Sequence, residues 1–534
     1  MENSWLWWKD GVIYQIYPRS FMDSNGDGIG DLEGIAQRLV YLAELGIDAI
    51  WLSPINPSPD VDFGYDVADY RDIDAKYGSL ADFDHLVTEA HSRGIRVIMD
   101  LVLNHTSDQH SWFIESRASR DNPKRDWYIW RENPQGKNLP PNNWQSIFGG
   151  KAWEYDPRTG QYYYHMFTPQ QPDLNWRNPQ VYEEMMNTFR FWADRGVDGF
   201  RLDVFNQYFK DESFRNNPVK AGIRAFDRQH HLYDTNQAEM KQVVADIRAL
   251  LDEYPERYVV GETFISDSKT AAGYTGPGKL HAAFDFSLLN SPFHPARYLE
   301  SILRQEKELS ADSWPNHVLN NHDNRRIATR IRCAEKDEPL KVGAAMLLTL
   351  RGTPFLYYGE EIGMRDIHLR RAELKDPVGK RFWPLSVGRD GCRSPIQWNR
   401  EKNAGFTTGN PWLKVHPNFI SRNVESQKDD PNSLLNFYQA LIALRKSVPA
   451  LREGMFLPLH HNPQKVLAYL RQTKEQTVLV ALNFSRRSAK LAVGGEISRH
   501  PWEVLLSSKK RTRPIFERGW LKLEGNEACI LIQK

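Results

Sequence analysis

A chain of 534 residues is too long for one ordinary core, so a large domain with smaller companions is expected. Lys+Arg 69 against Asp+Glu 68 leaves a net charge of +1, which suggests no polyanion partner such as nucleic acid; 40% hydrophobic and 26% charged residues describe a soluble globular protein. Cys333, Cys392 and Cys529 are too few and too far apart for a disulfide framework. No apolar run approaches the ~20 residues that span a bilayer, and the Trp-rich opening lacks the basic and apolar regions of a signal peptide. A cytoplasmic protein without a membrane partner is therefore expected. The abundant aromatic residues suit core packing, or a neutral ligand with flat apolar faces.

In chain order, short β-rich runs alternate with amphipathic stretches. Strands are predicted at 12–17, 49–52, 96–102, 199–204, 258–261, 282–286, 317–319 and 355–358. Helices are predicted at 32–45, 181–194, 236–251 and 340–350, and from the capping signal at Ser79 and Asp82 to the stop at Gly94. Eight strands alternating with helices predict a parallel α/β fold, a closed (β/α)₈ barrel. The stretch 104–174 is rich in Trp, Tyr, Asn, Pro and Gly, without periodicity, and reads as a small domain inserted after strand three. The barrel thus occupies 1–103 and 175–450, with a loop-rich insertion at 365–408. Strands at 466–470, 476–484, 490–493 and 528–532 predict an antiparallel β-sandwich domain over 451–534.

Barrel enzymes carry their chemistry at the C-terminal strand ends. Those ends hold Asp66, the pair Asn104-His105, Arg201 with Asp203, Glu262, and His322-Asp323. Arg201 and Asp203 alternate with Phe200, Leu202 and Val204, so two opposite charges share one face of the fourth strand. The guanidinium is expected to keep the Asp203 carboxylate ionised. Glu262, with its longer reach and a pKa raised by burial, is the natural proton donor. Asp323 is a third carboxylate, able to stabilise developing positive charge. One ionised carboxylate beside one protonated acid is what retaining glycoside hydrolysis requires.

The ordered phrases Asp100-Leu101-Val102-Leu103-Asn104-His105, Gly199-Phe200-Arg201-Leu202-Asp203, Gly261-Glu262-Thr263 and Asn321-His322-Asp323 resemble the alpha-amylase family of glycoside hydrolases. Tyr14–Phe21, Gln171–Trp176 and Gly359–Met364 place the resemblance in its oligo-1,6-glucosidase/alpha-glucosidase branch, over essentially the whole chain. The resemblance implies Asp203 as nucleophile, Glu262 as acid/base and Asp323 as transition-state stabiliser. It implies substrate contacts for Tyr65, Asp66, His105, Arg201, His322 and Arg389.

Asp23-Ser24-Asn25-Gly26-Asp27-Gly28-Ile29-Gly30-Asp31 offers oxygen ligands at alternate positions, which suits a hard cation. The branch resemblance implies structural Ca²⁺ held by Asp23, Asn25, Asp27, the Ile29 carbonyl and Asp31; a metal-free turn is the alternative. Val204 follows the nucleophile, as in branch members that favour α-1,6 linkages. The expected activity is exo-acting release of glucose from short oligosaccharides, leaning to α-1,6. An α-1,4-glucosidase, or a transglucosylase or disaccharide isomerase on the same triad, is the alternative. No organic cofactor is expected, and the oligomeric state is left open. The aromatics of 204–241 suit loop packing or sugar stacking equally.

Overall fold

The computed structural model describes residues 5–132, 139–264, 267–333, 335–459 and 464–534. Eight parallel strands form the central sheet: β1 Ile13–Ile16, β2 Ala49–Leu52, β3 Arg96–Leu101, β4 Gly199–Leu202, β5 Tyr258–Glu262, β6 Ala282–Phe284, β7 Asn316–Val318 and β8 Thr353–Tyr357. Their hydrogen-bonded order is β7-β8-β1-β2-β3-β4-β5-β6, and β6 and β7 lie side by side to round off the barrel. All eight predicted strands are present, with ends shifted by a few residues.

Alternation along each strand sorts the side chains. Ile13, Ala49, Trp51, Ile98, Val260, Phe284 and Phe355 pack together inside the barrel. Their neighbours Tyr14, Ile50, Val97, Met99, Phe200 and Val259 join the core under the surrounding helices. This register decides the chemistry. Asp100 lies directly beside Arg201 across the β3–β4 ladder, so the carboxylate and the guanidinium rise from the same layer of the barrel interior.

The helices follow their sequence signals. Ser79 caps Leu80–Ser92 through a reciprocal pair with Asp82. The expected helix at 32–45 is instead two, Leu32–Gln37 and Leu39–Leu45, because Arg38 leaves the helical region. Between β3 and β4 the chain forms helix Ser111–Ala118 and a small antiparallel sheet of Trp130–Arg131, Gln161–Tyr164 and Trp153–Asp156. Past Ala450 lies a five-stranded antiparallel sheet, with a three-stranded one of Ala489–Ala492, Trp520–Leu523 and Phe516–Glu517. Leu467, Val478, Leu482 and Ile530 of the larger sheet belong to the main core. Among the described residues no helix is long and apolar enough to cross a membrane.

Candidate active site

A cavity of about 270 Å³ opens at the C-terminal end of the barrel. Asp203, Glu262, His322 and Asp323 line it, with Tyr65, His105, Val204 and Arg389. Its apolar wall comes from Ile147, Phe148 and Phe167 of the inserted segment and from Phe264. The volume lies below the ~300–1,000 Å³ of common ligand pockets, which restricts it to a group about the size of one ring.

Arg201 organises the floor. Its guanidinium donates to Asp100 at 2.7 Å, to Asp203 at 2.7 Å and, in a shorter contact, to Glu262. All four side chains are at least nine-tenths buried. Burial pushes both Asp203 and Glu262 above the ordinary carboxyl range, and one guanidinium shared among three acids does not offset it. The expected depression of the Asp203 pKa is therefore corrected. Glu262 also lies within hydrogen-bonding reach of Asp203, so the two carboxyls titrate as a pair. Burial likewise lifts Asp100 to about 6.

Asp323 sits in the opposite environment. Burial opposes its ionisation, but the His322 ring at 3.3 Å and the guanidinium groups of Arg389 and Arg393 hold its carboxyl well below the ordinary range. Arg393 reaches Asp323 at 2.9 Å and Arg389 at 3.4 Å. Burial pulls His322 down to about 3, so its ring is neutral. The Gln15 amide lies 2.7 Å from Nδ1, which makes Nδ1 the acceptor and leaves Nε2–H facing the Tyr65 hydroxyl at 2.6 Å. Tyr65 then donates to Asp100 at 3.2 Å.

Arg389, in the cavity wall, donates to Asp62 at 2.5 Å and Asp376 at 2.7 Å. Asp66 does not take this place. Its carboxylate is sealed among the Ser58 hydroxyl and the Val61 and Asp62 backbone amides, and it is not part of the cavity wall. The partner of Arg389 is Asp62, on the loop that Asp66 braces. His105 lines the cavity, but its Nε2 lies 2.9 Å from the Tyr65 carbonyl. Burial lowers its pKa to about 4.

Val204 is not strand core: β4 ends at Leu202, and Val204 takes left-handed angles, φ 35° and ψ 39°. A β-branched residue there is strained. Gly261, just before Glu262, is required by packing, because a Cβ would meet the Phe205 ring at 2.3 Å. Phe205, Tyr208, Phe209 and Phe226 are buried. Tyr208 stacks on Trp176, 4.4 Å between centroids. Loop packing therefore accounts for the aromatics that follow β4. Asp62 and Arg393 lie outside the quoted motifs, and Asp100 and Gln15 lie inside them without a role assigned; for Asp100, an acid on the inward phase of an otherwise apolar strand is the signal.

The loop from Asp23 to Asp31 lies after β1, outside the cavity wall. Asp23 accepts from the Asn25, Gly26 and Gly28 amides and from the Thr407 hydroxyl. Asp31 caps the helix that follows it. The donor set is all oxygen and fits a hard cation in kind, with Asn25 and Asp27 accepting one backbone bond each. Among the described residues, no three His, Cys, Asp or Glu side chains gather as around a metal ion.

Paired carboxyls, one guanidinium and a one-ring cavity at the mouth of a (β/α)₈ barrel are the equipment of a glycoside hydrolase. The chain belongs to the alpha-amylase family: residues 15–454 match the alpha amylase catalytic domain, and residues 456–528 match the maltogenic amylase C-terminal domain. It is 43% identical over 501 residues to the "Probable alpha-glucosidase" of Rhizobium meliloti, with 90% of each chain covered. It is 40% identical over 537 residues to the oligo-1,6-glucosidase of Parageobacillus thermoglucosidasius, covering 94% of this chain and 95% of that one. A solved alpha-glucosyl transfer enzyme superposes with a TM-score of 0.94 at 41% identity, over 99% of this chain and 100% of that chain.

Proposed function

We propose that the protein is a retaining, exo-acting α-glucosidase that releases terminal α-linked glucose from short oligosaccharides, with a lean to α-1,6 linkages. The observation that carries this reading is the Asp203–Glu262 pair on Arg201, in a small cavity with the Asp62–Arg389 ion pair in its wall. Carboxyls within hydrogen-bonding reach of each other leave no room for a water between them, which favours direct attack over inversion. Burial raises both carboxyls, which favours keeping a proton on Glu262 for the leaving group, while Arg201 favours the ionised form of Asp203.

In the first step Asp203 attacks the anomeric carbon as Glu262 gives its proton to the leaving oxygen, forming a glucosyl ester. Water then attacks the same carbon, Glu262 takes its proton, and Asp203 is released. Asp323, held ionised by Arg389 and Arg393, stabilises the oxocarbenium-like charge. Tyr65, His105, His322 and the Asp62–Arg389 pair contact the sugar, and Arg201 keeps the acids in place. Val204 restricts how the next ring lies. On this reading the barrel spans 1–103 and 175–450, and the inserted domain 104–174 and the loop-rich 365–408 wall the pocket. The C-terminal domain is 451–534.

The loop at 23–31 holds Ca²⁺ in a structural role, and the protein works in the cytoplasm. Chelation is expected to lower the melting temperature without abolishing activity; an unchanged melt after exhaustive chelation would remove the ion from the account. A second reading, glucosyl transfer to another sugar, is favoured by the likeness to the transfer enzyme. Parallel incubation with isomaltose, maltose, sucrose and trehalose, followed by NMR, separates the two. The first reading predicts α-glucose released fastest from isomaltose; dominant new disaccharides would favour the second, and initial β-glucose would refute retention.

A further inference from the structure

A separate cavity of about 340 Å³ shares no lining residue with the catalytic one. It lies between the loop after β2, the start of helix Ser111–Ala118 and the helix Pro179–Asp194. Buried Tyr70 lines it, and the Tyr70 hydroxyl donates to the backbone carbonyls of Val102 at 3.0 Å and His105 at 2.8 Å. The cavity thus backs onto the segment that presents His105 to the catalytic site.

His110 distinguishes this cavity from a surface crease. It is only 4% exposed, and its Nδ1 accepts the Trp112 backbone amide at 3.1 Å, capping helix Ser111–Ala118. With Nδ1 an acceptor, the ring proton sits on Nε2. That N–H has no protein partner among the described residues, and it is not sealed away: the cavity is the space it faces. Burial pulls the ring down to about 3, so it donates without carrying a charge. The indole N–H of half-buried Trp112, on the same lining, is unpartnered as well. A nearly buried donor held open to a cavity calls for an acceptor there.

The surrounding charges select the class of ligand. Arg71 is held by Glu184 at 2.6 Å and Lys124 by Glu115 at 2.7 Å, so neither cation is free for an anion. Glu184 is thereby engaged, and the Asp69 carboxylate accepts the Arg71 amide at 2.8 Å, which leaves too few free acids for a hard metal ion. Donors and acceptors mixed around the rings of Tyr70, Trp112 and Trp127 suit hydroxyls spread over an apolar frame. The volume falls within the ~300–1,000 Å³ of common ligand pockets and holds one such ring.

We propose that this cavity is a second, non-catalytic site for a neutral polyhydroxy ring, a free monosaccharide or a cyclitol, anchored by the Nε2–H of His110. The site goes beyond the glucosidase reading and stands or falls apart from it.

The test puts a reporter in the cavity. Enzyme carrying 5-fluorotryptophan is titrated with glucose and followed by fluorine NMR, the Trp112 signal being assigned with Trp112→Phe. A saturable shift of that signal is expected with glucose and with myo-inositol, and none with inorganic phosphate. His110→Asn keeps a good capping residue but removes the Nε2 donor. It should raise the apparent Kd about two- to ten-fold, the loss of one neutral hydrogen bond. Glu184→Ala, at a half-buried helix position, removes an acceptor without touching the cap and should weaken binding similarly; melting curves check the fold of both. Three results would each overturn the proposal: a shift that never saturates with glucose, a shift with phosphate alone, or a shift unchanged in both variants, as from glucose in the catalytic cavity.

Discussion

Two groups of buried acids sit at the same end of the barrel and are used in opposite ways. Asp203 and Glu262 face the cavity and share the charged guanidinium of Arg201. Glu360 and Glu361, just past β8, face neutral partners. Glu360 accepts from Asn320 at 2.5 Å and Tyr438 at 3.0 Å, and Glu361 from Tyr14 at 2.8 Å and Tyr41 at 2.7 Å. Burial raises all four carboxyls. Burial alone therefore does not mark a reacting acid. The difference is a guanidinium bonded directly to the acids and open space for a substrate, since Arg326 only lies near Glu361 without bonding it. The same contrast separates Asp62, which meets Arg389 in the cavity wall, from Asp66, sealed four residues later.

The sharpest way to break the comparison is one substitution at two buried glutamates. Glu262→Gln is expected to lower kcat on isomaltose by about 10²–10⁴-fold, the range of a lost general acid/base, and Asp203→Ala by at least as much. Glu360→Gln should leave the chemical step within a few-fold of wild type. Comparable losses at both glutamates would show that burial, not the cavity, sets the role.

Next in size is the aspartate pair. Asp62→Asn is expected to lower kcat/KM by about 2–5 kcal/mol, the cost of truncating a buried charge pair. Asp66→Asn should act mainly through stability, read as a lower melting temperature with a smaller change in kcat/KM. The reverse ranking would return the substrate contact to Asp66.

The sealed group predicts a pH effect. Burial raises Glu360 from the ordinary 4.5 to about 7. Its folded-state pKa thus exceeds its unfolded one, so its contribution is fully present below pH 4.5 and is lost as pH rises to about 7. The loss is worth about 3 kcal/mol. Glu360→Gln, neutral at every pH, should melt close to wild type at pH 4.5 and distinctly higher at pH 8. A constant gap across that range would contradict it.

The smallest effect concerns the residue that links the two themes, strained and at the cavity wall. Val204→Thr is expected to shift the isomaltose-to-maltose ratio of kcat/KM towards maltose by about 1–3 kcal/mol. An unchanged ratio would remove Val204 from linkage choice.

Much of this was legible in the sequence, and the omissions have physical causes. The eight strands were visible because buried parallel strands are short apolar runs separated by helices. Asp203, Glu262 and Asp323 were visible because charges at strand ends stand out against those runs. Asp62 was hidden because its loop, Asp60 to Asp66, carries three acids, and only the backbone path decides which faces inward. Val204 looked like strand because alternation continues through it, whereas the chain turns left-handed there. The Asp203 pKa was misjudged because one Arg beside one Asp does not show that Asp100 and Glu262 claim the same guanidinium. The strand Trp502–Ser507 was not anticipated.

The central claim is that Asp203 carries the sugar between two steps. The most direct test is mass spectrometry of the Glu262→Gln enzyme after brief exposure to α-glucosyl fluoride, whose leaving group needs no acid. The account predicts a peptide containing Asp203 heavier by one glucosyl residue, absent when Asp203 is also replaced. Turnover of the fluoride with no adduct at Asp203, or with an adduct on another residue, would contradict it.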